Sequence, residues 1–138
     1  MASLTEFNKR MVGNGLIKPL RRLSGNDFLS ATGPALIKSA IQQILGTRTG
    51  ELPWRPAFGT NLESYRHRSM TEPQLQSLIA TIQTALTIWE PRLSVTSVTA
   101  ESEENKIRVR IVWTINVGAT ITGNNIFHSS ENVTDVEV

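Results

Sequence analysis

Between positions 106 and 117 the chain alternates with a period of two. Ile107, Val109, Ile111, Trp113, Ile115 and Val117 hold one parity, and Lys106, Arg108, Arg110, Val112, Thr114 and Asn116 hold the other. A strand sends successive side chains to opposite faces, so this segment has one apolar face that something must cover. Two amphipathic helices upstream can supply the cover. In the first, predicted over 34–45, Leu36, Ile37, Ala40, Ile41, Ile44 and Leu45 form a stripe opposite Lys38, Ser39, Gln42 and Gln43. Thr32 or Gly33 can cap it, Pro34 suits its first turn, and Gly46 is the expected stop. The second, predicted over 71–89, buries Leu75, Leu78, Ile79, Ile82, Leu86 and Trp89. Thr71 with Gln74 reads as its capping box, Glu72 suits its positive first turn, and Pro91 ends it.

Residues 93–100 are expected to pair with the alternating segment across the polar loop 101–105, and 119–122 to continue after Gly118. The tail 131–138, with Val133, Val136 and Val138, reads as one more short strand. Earlier, two apolar runs flank Ser24-Gly25-Asn26-Asp27, the pattern of a hairpin or paired extended segments, with Pro19 demoting the first run to an edge. Helices first and strands last predict an α+β fold: a single domain in which two main helices pack on one face of a mainly antiparallel sheet.

At 138 residues the chain is long enough to sustain one core. It has no cysteine and only two histidines, His67 and His128, which excludes disulfides, thiolate metal sites and multi-histidine sites. No cofactor is expected. Residues 1–15 contain no continuous apolar run, so no signal peptide or anchor is read there, and a cytoplasmic location is expected. The net charge of +2 divides unevenly: residues 1–92 hold 11 basic against 6 acidic groups (+5), and 93–138 hold 3 against 6 (−3). Ten of the 14 basic residues are arginine, a side chain suited to protein interfaces as much as to nucleic acid.

The stretch from Gly46 to Met70 is too long to be a mere connection and carries Gly50, Pro53, Pro56 and Gly59; such loops are usually functional. Two chemistries can be tested on it. Glycoside hydrolysis needs two carboxyls across a cleft, one of them kept protonated by an apolar pocket. Glu51 and Glu63 lie instead among Arg48, Arg55, Arg66 and Arg68, and Glu90 lies near Arg92, neighbours that favour the ionised form. Single-strand nucleic-acid binding needs arginines interleaved with stacking aromatics, and Trp54, Phe58 and Tyr65 fit that pattern. The same composition makes a protein interface, and the low net charge argues against a nucleic-acid coat.

Residues 37–51 (IKSAIQQILGTRTGE), followed by 55–62 (RPAFGTNL), resemble the signature of the gene-25-like baseplate wedge proteins of contractile phage tails, extracellular contractile injection systems and type VI secretion. The triplet Glu90-Pro91-Arg92 resembles that family's Glu-Pro-Arg in letters and position. The likeness covers about 16–117 and departs at Leu52-Pro53-Trp54, where many members are more polar or basic. It implies a wedge domain over 16–128, between a flexible arm at 1–15 and a tail or short strand at 129–138.

The resemblance further implies a non-enzymatic structural protein, present in multiple copies in a six-fold assembly. Its partners would be other wedge subunits, tail hub or tube proteins and first-ring sheath subunits, with no nucleic acid and no membrane insertion. It would be cytoplasmic during assembly and then part of a tail-like particle or secretion apparatus. The expected partner-binding residues are Arg48, Gly50, Glu51, Trp54, Arg55, Pro56, Phe58 and Gly59 in the loop, with Glu90, Pro91 and Arg92, whose charges would pair chiefly between subunits. Arg108, Arg110 and Val112 would line an open strand edge where an acidic sheath segment adds, unless residues 16–31 or the acidic tail already close that edge.

Overall fold

The computed structural model describes residues 13–17, 20–23, 25, 27–66, 70–103, 106–115 and 131–138. The expected arm over most of 1–15, the strand at 119–122, His67 and His128 therefore lie outside the described residues.

The element order is β1 (Asn14–Leu16), β2 (Ser30–Thr32), α1 (Pro34–Gly46), a 3-10 turn (Leu62–Tyr65), α2 (Glu72–Trp89), β3 (Leu93–Glu103), β4 (Lys106–Ile115) and β5 (Asn132–Glu137). β1 and β2 form a small antiparallel hairpin, extended by an Arg22–Phe28 bridge. The main sheet is antiparallel, in the order β3-β4-β5.

Period two in β4 becomes burial: Ile107, Val109, Ile111 and Trp113 are buried, whereas Lys106, Arg108 and Arg110 are exposed. The inner face meets α2 against β3 and α1 against β5, closing one core with Ile37, Ile41, Leu78, Ile82 and Leu86 completely enclosed. Trp113 sits at the β4–β5 junction, where its indole N–H donates to Thr134 Oγ1 at 3.0 Å with both groups buried. That bond satisfies the polar atom of the largest core side chain.

Three local expectations change. β3 runs on to Glu103 and pairs it with Lys106, so residues 101–103, expected in the loop, belong to the strand. α1 does not stop on a left-handed glycine. Thr47 turns extended (φ −94, ψ 128), and its N–H and hydroxyl both donate to the Gln43 carbonyl at 3.0 and 2.7 Å. A last-turn carbonyl satisfied in this way needs no left-handed cap. The third change concerns β4. Its register joins β3 from Leu93↔Ile115 to Glu103↔Lys106, and joins β5 from Arg108↔Glu137 to Trp113↔Asn132. Beyond β5, Ile107 and Val138 exchange both backbone hydrogen bonds.

Candidate partner-binding surface

The loop after α1 is braced by its own backbone. The Thr60 N–H donates to the Thr47 carbonyl, Gly50 to Pro56, Glu51 to Arg48, Arg55 to Leu52 and Phe58 to Arg55, all between 2.8 and 3.0 Å. Arg48 and Thr60 form a parallel bridge, and Thr60 Oγ1 donates to the Leu45 carbonyl at 3.2 Å, sealing the base. Gly59 makes this closure possible: its φ is +100, and a Cβ there would overlap the Thr47 carbonyl oxygen. Gly59 thus shapes the loop.

The structure divides the loop's expected contact residues by role. Phe58 turns inward and packs edge-on against Trp89, with ring centroids 5.1 Å apart and planes at 66°, so it pins the loop to the end of α2. Arg48 bonds Glu63 through Nη1 at 2.7 Å, while its N–H donates to Glu51 Oε2 at 2.9 Å. Trp54 stands out, 75% exposed, at the far end. Pro56 and Arg55 are exposed beside it, and Arg55 has no ion pair among the described residues.

Between the loop and α2 runs a groove of about 520 Å³, lined by Thr49, Ala57, Gly59, Thr60 and Asn61 on one side and by α2 residues from Ser77 to Trp89 on the other. None of the twelve lining residues is charged. The helix wall is polar in name only. Thr81 and Thr84 turn their hydroxyls back to the Ser77 and Ala80 carbonyls at 2.9 and 2.8 Å. Hydroxyls bonded in this way leave methyl groups facing outward beside Ala80 and the exposed Ile88. Sequence reasoning passed over this surface, although its signal was legible: no charge occurs from Pro73 to Trp89.

The Glu90-Pro91-Arg92 triplet folds inward. Glu90 is the C-cap of α2, and its side chain is 3% exposed. It accepts Arg92 Nε and Nη2, both at 2.6 Å, and the Arg92 N–H at 3.3 Å. This two-pronged contact raises the Arg92 pKa above its ordinary value through hydrogen bonding to Glu90, with partial burial opposing it. The pair expected to form between subunits is therefore made within the chain, because Pro91 turns the backbone and brings the guanidinium over the carboxylate.

The open edge expected at Arg108, Arg110 and Val112 also gives way, because β4 is the central strand, paired on both sides. The acidic strand that meets it is the chain's own β5. Arg110 binds Asp135 at 3.0 Å, which raises its pKa, and Lys106 binds Glu137 at 3.3 Å. Arg108 binds Glu103 at 3.3 Å, on the other side. Val112 pairs with Val133 on the same outer face.

A second cleft, about 740 Å³, lies between residues 46–51, the 3-10 turn and β5, and holds Glu51, Glu63, Asp135 and Glu137. All four are solvent-exposed, and each accepts a hydrogen bond from a neighbouring N–H donor: the Arg48 N–H, Arg48, Arg110 and Lys106 respectively. None lies in an apolar pocket of the kind a glycosidase builds around its acid. Among the described residues no group of three metal-ligating side chains converges, and no helix is long and apolar enough to cross a membrane.

Residues 31–120, 90 of the 138, match the family described as Baseplate wedge protein gp25. No curated protein matches the sequence. Among solved structures, a chain of the anti-feeding prophage (AFP) baseplate superimposes with a TM-score of 0.73 at 18% identity, covering 82% of this chain and 94% of that one. A protein of Geobacter sulfurreducens, provisionally described as a tail lysozyme, gives 0.61 at 24% identity over 74% of this chain and 86% of its own. At these identities the two structures share the fold. The family match spans both helices, the braced loop, the triplet and the two long strands, and by it the chain belongs to the Baseplate wedge protein gp25 family.

Proposed function

We propose that this chain is a structural baseplate component that acts through protein contacts, without a cofactor or a reaction of its own. It joins neighbouring wedge subunits around the tail hub and supports the first sheath ring. The observation that carries the reading is the uncharged groove between the loop and α2. Hydrolysis would need a carboxyl there and nucleic-acid binding a row of cations, whereas an uncharged wall of methyl groups suits a packed protein partner. Trp54, raised on a loop already ordered by its own hydrogen bonds, loses little freedom on docking and serves as an anchor beside Arg55. Pro91 and the outward side of Arg92 extend the same contact.

Strand addition by sheath segments moves from β4 to the outer edges of β3 and β5, neither of which is paired on its far side among the described residues. The machine is a phage tail, an extracellular injection particle or a secretion apparatus. Ala80 and Thr84 are exposed on α2, so Ala80→Glu/Thr84→Glu should leave the isolated protein's melting point nearly unchanged. In the native host the variant should fail to enter sheathed particles seen by negative stain, and normal sheathed particles containing it would defeat the reading. Peptidoglycan turnover by the purified chain, lost in Glu51→Gln/Glu63→Gln, would favour the glycosidase instead.

A further inference from the structure

Seven large apolar side chains are about half exposed or more among the described residues, and four of them, Leu16 (52%), Leu20 (58%), Leu23 (50%) and Phe28 (48%), lie on the β1–β2 hairpin. A two-stranded ribbon is marginal by itself, and this one is held at its base. There Gly15 lies under Leu36, where a Cβ would come within 2.9 Å of Leu36 Cδ1, and Ile17 and Ala31 touch the core. The distal part keeps its shape through the Leu29 N–H to Arg21 and the Leu23 N–H to Asp27, at 2.8 and 2.9 Å, with its leucines in water. It is also basic, with Arg21 and Arg22 exposed against Asp27. Clustered apolar side chains rimmed by charge mark an interaction site.

The complementary surface is on the same chain. The described parts of 93–138 carry five acids (Glu101, Glu103, Glu131, Asp135, Glu137) against Lys106, Arg108 and Arg110. On the outer sheet face each of those bases is already bonded to an acid, and Val112 and Val133 pair at the middle, Val133 being 53% exposed. The result is an acidic face with an apolar centre. The hairpin sits on α1, and α1 contacts β5, so the helix layer stands between the hairpin and the outer sheet face of the same molecule. We infer that the hairpin of one copy docks on the outer sheet face of a second copy, Leu20, Leu23 and Phe28 over Val112–Val133 and the arginines against Glu101 and Glu131. The contact is heterologous, so it propagates head to tail. A single hairpin is smaller than the roughly 20–30 residues a side of a standard interface, so the association is weak and salt-sensitive.

Sedimentation equilibrium of the full chain, from about 10 µM to 1 mM at low salt, should show reversible association, weakened about tenfold by 0.5 M salt. Arg21→Glu/Arg22→Glu and, separately, Glu101→Lys/Glu131→Lys should each be monomeric. Mixed in equal amounts they should associate again, because the reversed hairpin of one then faces the reversed sheet of the other. All the substituted positions are exposed, and circular dichroism checks that each variant is folded. A wild-type chain that stays monomeric at 1 mM overturns the inference and leaves the hairpin to another partner. Variants that still associate alone, or that fail to associate when mixed, overturn it as well.

Discussion

Replacing Arg92 with alanine leaves Glu90 as a carboxylate that is 3% exposed and has lost both side-chain donors, keeping only the Arg92 N–H at 3.3 Å. Removing one partner of a fully buried ion pair costs about 3–5 kcal/mol, since the remaining charge is desolvated without compensation. Arg92 is itself 38% exposed, so water already screens one side of the pair and can follow into the gap. The expected loss is therefore about 2–3 kcal/mol. For a domain of this size each kcal/mol moves the melting point by roughly 3–5 °C, which gives about 6–15 °C by calorimetry at neutral pH.

The double variant Glu90→Leu/Arg92→Leu should be more stable than Arg92→Leu alone, because it removes the stranded charge along with its partner. This reverses what a pairing between subunits would require, namely a melting point left nearly unchanged. Were Arg92→Ala to melt within about 1–2 °C of the parent, the carboxylate would be solvated after the loss and the internal brace refuted.

Gly59→Ala should cost about 2–4 kcal/mol by urea unfolding, since it meets both a positive φ and the Thr47 carbonyl; a loss under about 0.5 kcal/mol would mean that the loop is not closed this way. Thr134→Val keeps the side-chain shape but strands the Trp113 indole N–H, for about 1–3 kcal/mol and a change in tryptophan emission. Arg110→Gln should leave the melting point unchanged within error, because its bond to Asp135 lies at the surface, open to water. Arg92 has its pKa raised by Glu90, so its contribution is complete at every pH below the ordinary arginine value and fades only as pH rises through the raised one. The difference in melting point between parent and Arg92→Ala should thus be the same at pH 8 and about pH 10.

Much of the fold was legible because its signals are periodic and local. Alternation in 107–115 assigned the buried face of β4, and the stripes of α1 and α2 named core residues such as Ile37, Ile41, Leu78 and Ile82, all of which are completely buried. Thr71 and Gln74 do form the expected capping box. The hairpin was legible too, from turn residues between two apolar runs. The candidate site was less so. Phe58 and Trp54 are equally aromatic in the sequence, yet one packs on Trp89 and the other stands in solvent, a distinction made by where the loop closes.

By itself, then, the sequence determined which faces are apolar, where the helices begin and which class of fold can bury them, because side-chain periodicity and capping act over a few residues. The tertiary structure alone decided which charges meet and which strand is central. Period two says that β4 has two faces but nothing about its two edges, since backbone hydrogen bonds are the same for every residue. The return of β5 closed the edge that the sequence left open and brought Asp135 to Arg110, while β3 on the other side brought Glu103 to Arg108. Likewise Glu90 and Arg92 stand two positions apart in any conformation. Only packing beneath the end of α2 takes Glu90 out of water, and a carboxylate so placed is held by the nearest guanidinium, that of its own chain.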